Sequence, residues 1–147
     1  MKITVVILLL LLSPALAAED LFMVRSQLAF PEAMAVLQQS IRENGYQVTR
    51  VQRIDIGLTR SGYKTDKYRV VFFGKLEEIR GLADRYPELI AYLPLKIAIF
   101  AENDETILLS SSFKHLRSTY TSAELLASFD HRETVIQSIL DQLRTAQ

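Results

Sequence analysis

The 147-residue chain balances 17 Lys and Arg against 17 Asp and Glu, and 49% of its residues are hydrophobic. That is enough apolar material for one core-bearing domain, and the zero formal charge gives no general attraction to nucleic acid or to an acidic membrane surface. Cysteine is absent, which excludes disulfides, thiolate metal sites, covalent c-type haem attachment, a cysteine nucleophile and a lipid-modified cysteine.

The chain opens with a short positive start at Lys2, an apolar run over Ile3–Leu12 interrupted only by Thr4, and the small-residue pattern Ala15-Leu16-Ala17. The run is too short to span a bilayer, and Ser13-Pro14 would break it. It reads as an export signal over residues 1–17, cleaved after Ala17 or Ala18. Removing residues 1–17 leaves 130 residues, with 16 Lys and Arg against 17 Asp and Glu. The expected location is periplasmic or secreted, as a soluble single domain over residues 18–147 with no later membrane span.

Leu21–Leu28 alternates with period two and predicts a strand, with Phe22, Val24 and Leu28 on one side. Pro31 suits a first helical turn, and Ala33, Met34, Leu37 and Ile41 then recur at helical spacing. No good N-cap residue precedes this helix, and Asn44-Gly45 stops it. A second strand is predicted over Tyr46–Leu58, with Val48, Ile54 and Ile56 on one face and a bulge near Arg50 because Val51 is out of phase. It forms a long hairpin with Tyr68–Phe73 across the polar loop Thr59–Lys67. Val70–Phe73 is apolar at every position, which suits a strand covered on both faces or one facing a subunit contact.

Leu76, Ile79, Leu82, Ala83 and Tyr86 predict a helix, in which Gly81 calls for a packing reason such as close approach to the sheet. Pro87 starts a short helical piece, and Pro94 launches a strand over Leu95–Ala101. The turn at Asn103-Asp104 leads to its partner, Thr106–Ser111. Thr121-Ser-Ala-Glu124 and Asp130-His-Arg-Glu133 each have the form of a capping box, and Val135, Ile136, Ile139, Leu140 and Leu143 make an amphipathic stripe. The order β-α-β-β-α-β-β-α predicts an α+β two-layer sandwich with one mixed sheet of about five strands. Right-handed crossovers would place the first two helices on one face, with the C-terminal helix joining them or covering the other.

Ile54-Asp-Ile-Gly-Leu58, Tyr68-Arg-Val-Val-Phe-Phe-Gly74, Tyr86-Pro-Glu-Leu89 and Tyr92-Leu-Pro-Leu-Lys-Ile97, taken in register, resemble the bacterial and archaeal domain-of-unknown-function family 302. The resemblance runs from the first helix to the Ile107–Ser110 strand. It implies a compact α+β fold and a homodimer, and it brings neither a substrate nor a catalytic residue. Many members carry Cys-Asn-Pro where this chain has Phe73-Gly74-Lys75, so a ligand role implied for that junction does not carry over.

No catalytic motif, metal-ligand spacing or cofactor motif is present. His115 and His131 stand alone. Ser110-Ser-Ser112 with His115 lacks the glycine-flanked elbow of a serine nucleophile and reads as a polar strand end. The densest positive cluster is the loop Arg60–Arg69, where Tyr63 and Tyr68 are interleaved with Arg60, Lys64, Lys67 and Arg69. Arg60, Tyr63, Lys64, Arg69 and His115 are therefore the candidate anion- or partner-binding residues, provided the two segments converge. The sequence reading is an exported, non-enzymatic binding module, homodimeric, acting on an envelope protein or small anionic ligand and not on nucleic acid. The alternative is an enzyme whose anionic substrate is held by the basic loop.

Overall fold

The computed structural model describes residues 21–146. The predicted leader and its expected cleavage site lie outside the described residues. Strand β1 is Leu21–Ser26, with Val24 and Ser26 buried on the predicted side. Helix α1, Phe30–Glu43, has Pro31 in its first turn and lacks a side-chain cap at Ala29, whose N–H instead donates to Glu32 Oε2 at 3.2 Å. Its C-terminus closes as Gly45 turns to φ +79° and donates its N–H to the Arg42 carbonyl. Ala33, Leu37 and Ile41 are the buried apolar stripe.

Strand β2 is Gln47–Arg53, and its register with β3, Tyr68–Gly74, shifts between Val48 and Arg50, where the out-of-phase Val51 predicted a bulge. The predicted strand does not continue to Leu58. Pairing ends at Arg53 opposite Arg69, and Ile54–Arg60 forms helix α2. Without a facing strand, these residues satisfy their backbone groups within a helix, and Ile54, Ile56 and Leu58 remain half-buried.

Helix α3, Leu76–Arg85, and a 3-10 segment, Pro87–Tyr92, lead to β4, Leu95–Glu102, and then β5, Glu105–Ser111. The sheet order is β1-β5-β4-β3-β2 and every neighbouring pair is antiparallel, so the sheet is not mixed. The reason is visible where Phe73 pairs with Leu95. The α3 excursion leaves and returns at the same end of the sheet, making β3 and β4 a hairpin with a helical loop instead of a crossover unit.

Gly81 in α3 has no neighbour that an added Cβ would meet, so the expected close approach to the sheet is absent. Gly74 is the crowded one, because a Cβ there would sit 2.5 Å from Ile79 Cδ1.

After a 3-10 turn at Lys114–Leu116, helix α4 runs unbroken from Ala123 to Thr145. Its N-cap is Ser122, whose hydroxyl accepts the Leu125 N–H. The second predicted capping box is interior to this helix, and Glu133 instead reaches out to accept the Phe113 N–H at 2.7 Å. His131, which the second capping pattern would put in a first turn, is consequently mid-helix. Helix α4 joins α1 on one sheet face, where the Ser40 hydroxyl donates to the Ile139 carbonyl at 3.5 Å. Helix α3 braces the flank of α4 through Arg85–Glu124 at 2.6 Å and Glu78–Arg132 at 3.7 Å.

Leu37, Ile41, Val71, Phe73, Ile97, Ile99, Leu108, Ile136 and Ile139 fill the interior between helices and sheet. Each such fully buried side chain contributes about 1.5–3 kcal/mol relative to exposure. Among the described residues no helix is long and apolar enough to cross a membrane.

Candidate functional site

The predicted site residues divide between opposite ends of the sheet. Arg60 is the last residue of α2, and Tyr63 and Lys64 follow it in an exposed loop around Gly62 at φ +86°. That loop enters β3 at Tyr68, which pairs with Phe100. His115 follows β5 and borders Leu95 and Lys96 at the other end. The span of β4 between Leu95 and Phe100 is about 17 Å at the rise of an antiparallel strand.

Arg69 is already engaged. Its guanidinium pairs with the Asp55 carboxylate, donates to the Tyr68 carbonyl at 2.9 Å and lies 5.8 Å from the centre of the Phe30 ring. The hydrogen bond from Arg69 holds the Asp55 carboxyl below its ordinary range. This is the chemistry of a clamp between α2, β3 and α1. Arg60, Tyr63 and Lys64 face solvent beside it.

The serine–histidine grouping is brought together without a nucleophile's geometry. Ser110 Oγ donates to the Lys96 carbonyl at 2.9 Å, and Ser112 Oγ accepts the Lys114 N–H at 3.1 Å. Among the described residues no hydrogen bond joins the His115 ring to any of the three serines. No group of three His, Asp or Glu side chains that could hold a metal occurs there either.

A different surface is apolar across several strands. Alternation in the strands sends Val71, Phe73, Ile97 and Ile99 to the helices and the intervening residues to the opposite face. No described element covers that face. Its middle row reads Met23, Leu109, Ala98 and Val70 across four strands, and the next row places Phe100 and Tyr68, both half-buried, beside Ile107, which is itself buried. Leu21 and Met23 are each 56% exposed. Tyr68 meets Phe100 edge to face at 6.0 Å, and a shallow hollow of about 350 Å³ lies over Val70, Phe72, Ala98 and Leu109.

Charge is confined to the border of this face. Glu102 and Glu105 pair across the β4–β5 hairpin, and Arg25 bridges them at 2.8 and 3.1 Å. Lys96 stands at the opposite margin, opposite Phe72. In the sequence the signal for this face is Val70–Phe73, apolar at both phases. Met23, Ala98 and Leu109 escape notice because they come from three separate segments that only strand register aligns.

Comparison with curated proteins gives no match. Among solved structures, the chain resembles an uncharacterized conserved protein, DUF302, from Bacillus stearothermophilus, with 17% sequence identity and a TM-score of 0.76 over 86% of this chain and 100% of that one. At that identity the likeness establishes the shared fold. A family model described as domain of unknown function DUF302 matches residues 22–143, from the first strand to the last turns of α4. The chain belongs to the DUF302 family.

Proposed function

We propose that this chain is an exported, non-enzymatic binding module that pairs with a second copy of itself through the open sheet face. The observation that carries the reading is the apolar row Met23–Leu109–Ala98–Val70, continuous across four strands and covered by no described element. An antiparallel sheet with one wet face ordinarily alternates apolar and polar residues, and β3 does not. Exposed apolar area of this kind marks an interaction surface. A second copy is the suitable occupant because a twofold axis near Ala98 and Leu109 would lay apolar rows on apolar rows, as two sheets pack about 10 Å apart.

The apolar run Ile3–Leu12 after Lys2 supports export, with cleavage after Ala17 or Ala18 placing the module in the periplasm or outside the cell. The alternative, catalysis on a small anion held by the basic loop, draws less support. Arg69 is committed to Asp55, and His115 lies at the far end of the sheet.

Sedimentation equilibrium tests the pairing. The processed protein is expected at twice the chain mass, and Met23→Glu or Val70→Glu at the mass of one chain with unchanged helical circular dichroism. Met23 is more than half exposed on an edge strand, so its variant keeps the fold. A wild-type monomer up to millimolar concentration overturns the reading. Intact mass of protein from the envelope fraction tests export, through the loss of residues 1–17 or 1–18.

A further inference from the structure

A second hollow, of about 260 Å³, lies between the start of β4 and the segment that follows β5. Lys96, Ser111, Ser112 and His115 line it together with the apolar side chains of Phe113 and Ile136. Phe113 and Ile136 are 6% and 1% exposed, so the floor is a fixed part of the core.

The one formal charge among the lining side chains is the Lys96 ammonium, and the His115 ring and the serine hydroxyls add hydrogen-bonding groups. No carboxylate lines it. Arg25, Arg69, Lys75, Arg85 and Arg117 each rest on an Asp or Glu, whereas among the described residues exposed cations such as Arg50, Arg60 and Lys64 do not. Among the described residues the Lys96 ammonium and the His115 imidazole have neither an ion pair nor a side-chain hydrogen bond. The imidazole is held in place by the Tyr92 ring, 5.6 Å away between centres and tilted by 49°. Ser112 is buried, and its oxygen already accepts the Lys114 N–H, which leaves the hydroxyl proton to donate. An ammonium, an imidazole and a hydroxyl beside an apolar floor complement a negatively charged oxygen group carried on an apolar body.

We propose that this hollow binds a small organic carboxylate. The carboxylate meets Lys96, His115 and Ser112, and an aliphatic or aromatic body lies on Phe113 and Ile136. A bare oxyanion would leave the floor unused, and a neutral apolar molecule would leave Lys96 and His115 unpaired. The site is independent of self-association, although Lys96 also borders the open sheet face.

Titration of the full processed chain, followed by protein NMR, decides the matter with benzoate, benzyl alcohol and inorganic phosphate as probes. Benzoate is expected to produce saturable shifts confined to Tyr92, Lys96, Ser110–Phe113 and the His115 ring, while benzyl alcohol and phosphate leave these signals in place. His115→Phe keeps a ring against Tyr92 and removes the donors, and it is expected to weaken benzoate by roughly tenfold, the scale of one charged hydrogen bond. Lys96→Met is expected to do the same or more. His115 is exposed and does not border the open sheet face, so its variant separates ligand binding from dimer formation. Absence of a saturable benzoate response, binding of phosphate alone, or unchanged benzoate affinity in His115→Phe overturns the proposal.

Discussion

The hydroxyl of Tyr46 is buried without a hydrogen-bond partner among the described residues. Its ring is well used, edge-on to Phe73 at 5.9 Å and beneath the Lys75 ammonium at 4.7 Å. Burial raises its pKa above the ordinary 10.0, and Glu78 adds to this while Arg132 and Lys75 oppose it. An unpaired buried hydroxyl costs about 1–3 kcal/mol, whereas the ring alone would keep the packing. Tyr46→Phe is therefore expected to stabilise the protein by about 1 kcal/mol in urea unfolding. The phenol's raised folded value also fixes a pH dependence. Its contribution is fully present below the unfolded value near 10 and is lost as pH rises through the folded value. Wild type should lose stability above that pH more steeply than Tyr46→Phe. A variant less stable than wild type at neutral pH would show that the hydroxyl is satisfied.

Gly81 poses the corresponding question for a helix. It sits inside α3 with open space where a Cβ would be. Glycine there costs about 1 kcal/mol relative to alanine, chiefly through the freedom it gives the unfolded chain. Gly81→Ala is expected to raise the melting temperature by roughly 4 °C by differential scanning calorimetry. No gain would point to an unrecognised constraint on α3. Helix α1 was legible because its apolar spacing coincides with a local stop at Gly45, and α4 because its stripe follows the Thr121–Glu124 capping pattern, although the cap proved to be Ser122 and the helix runs through the second pattern at Asp130. Helix α2 was not. Ile54 and Ile56 satisfy a strand pattern, and only the end of the β3 partner at Arg69 makes a helix preferable there. The five candidate residues stand out by positive charge and an interleaved tyrosine, and neither reveals that Arg69 already has Asp55.

For the whole molecule, the two sheet faces differ in kind. One is closed by α1 and α4, while the other presents apolar rows bordered by Arg25, Glu102, Glu105 and Lys96. If pairing buries those rows, folding and association are linked, and the melting temperature depends on protein concentration. It is expected to rise with concentration for wild type and to be flat for Met23→Glu. A flat wild-type response at concentrations where the dimer dissociates on unfolding would separate stability from pairing.

By itself the sequence determined the α+β class, the two long helices, the bulge in β2 and the hairpin at Asn103-Asp104. Those features arise from periodicity and from conformational preferences of residues near one another in the chain. The family resemblance was legible too, in motifs between Ile54 and Ile97 that lie inside the matched region 22–143. Tertiary structure decided that every strand pair is antiparallel, that Arg69 pairs with Asp55, and that His115 and the basic loop lie at opposite ends of β4. It also aligned Met23, Leu109, Ala98 and Val70 into one apolar row. These depend on which strand lies beside which, and a strand's own residues state its two faces but not the neighbour that extends them.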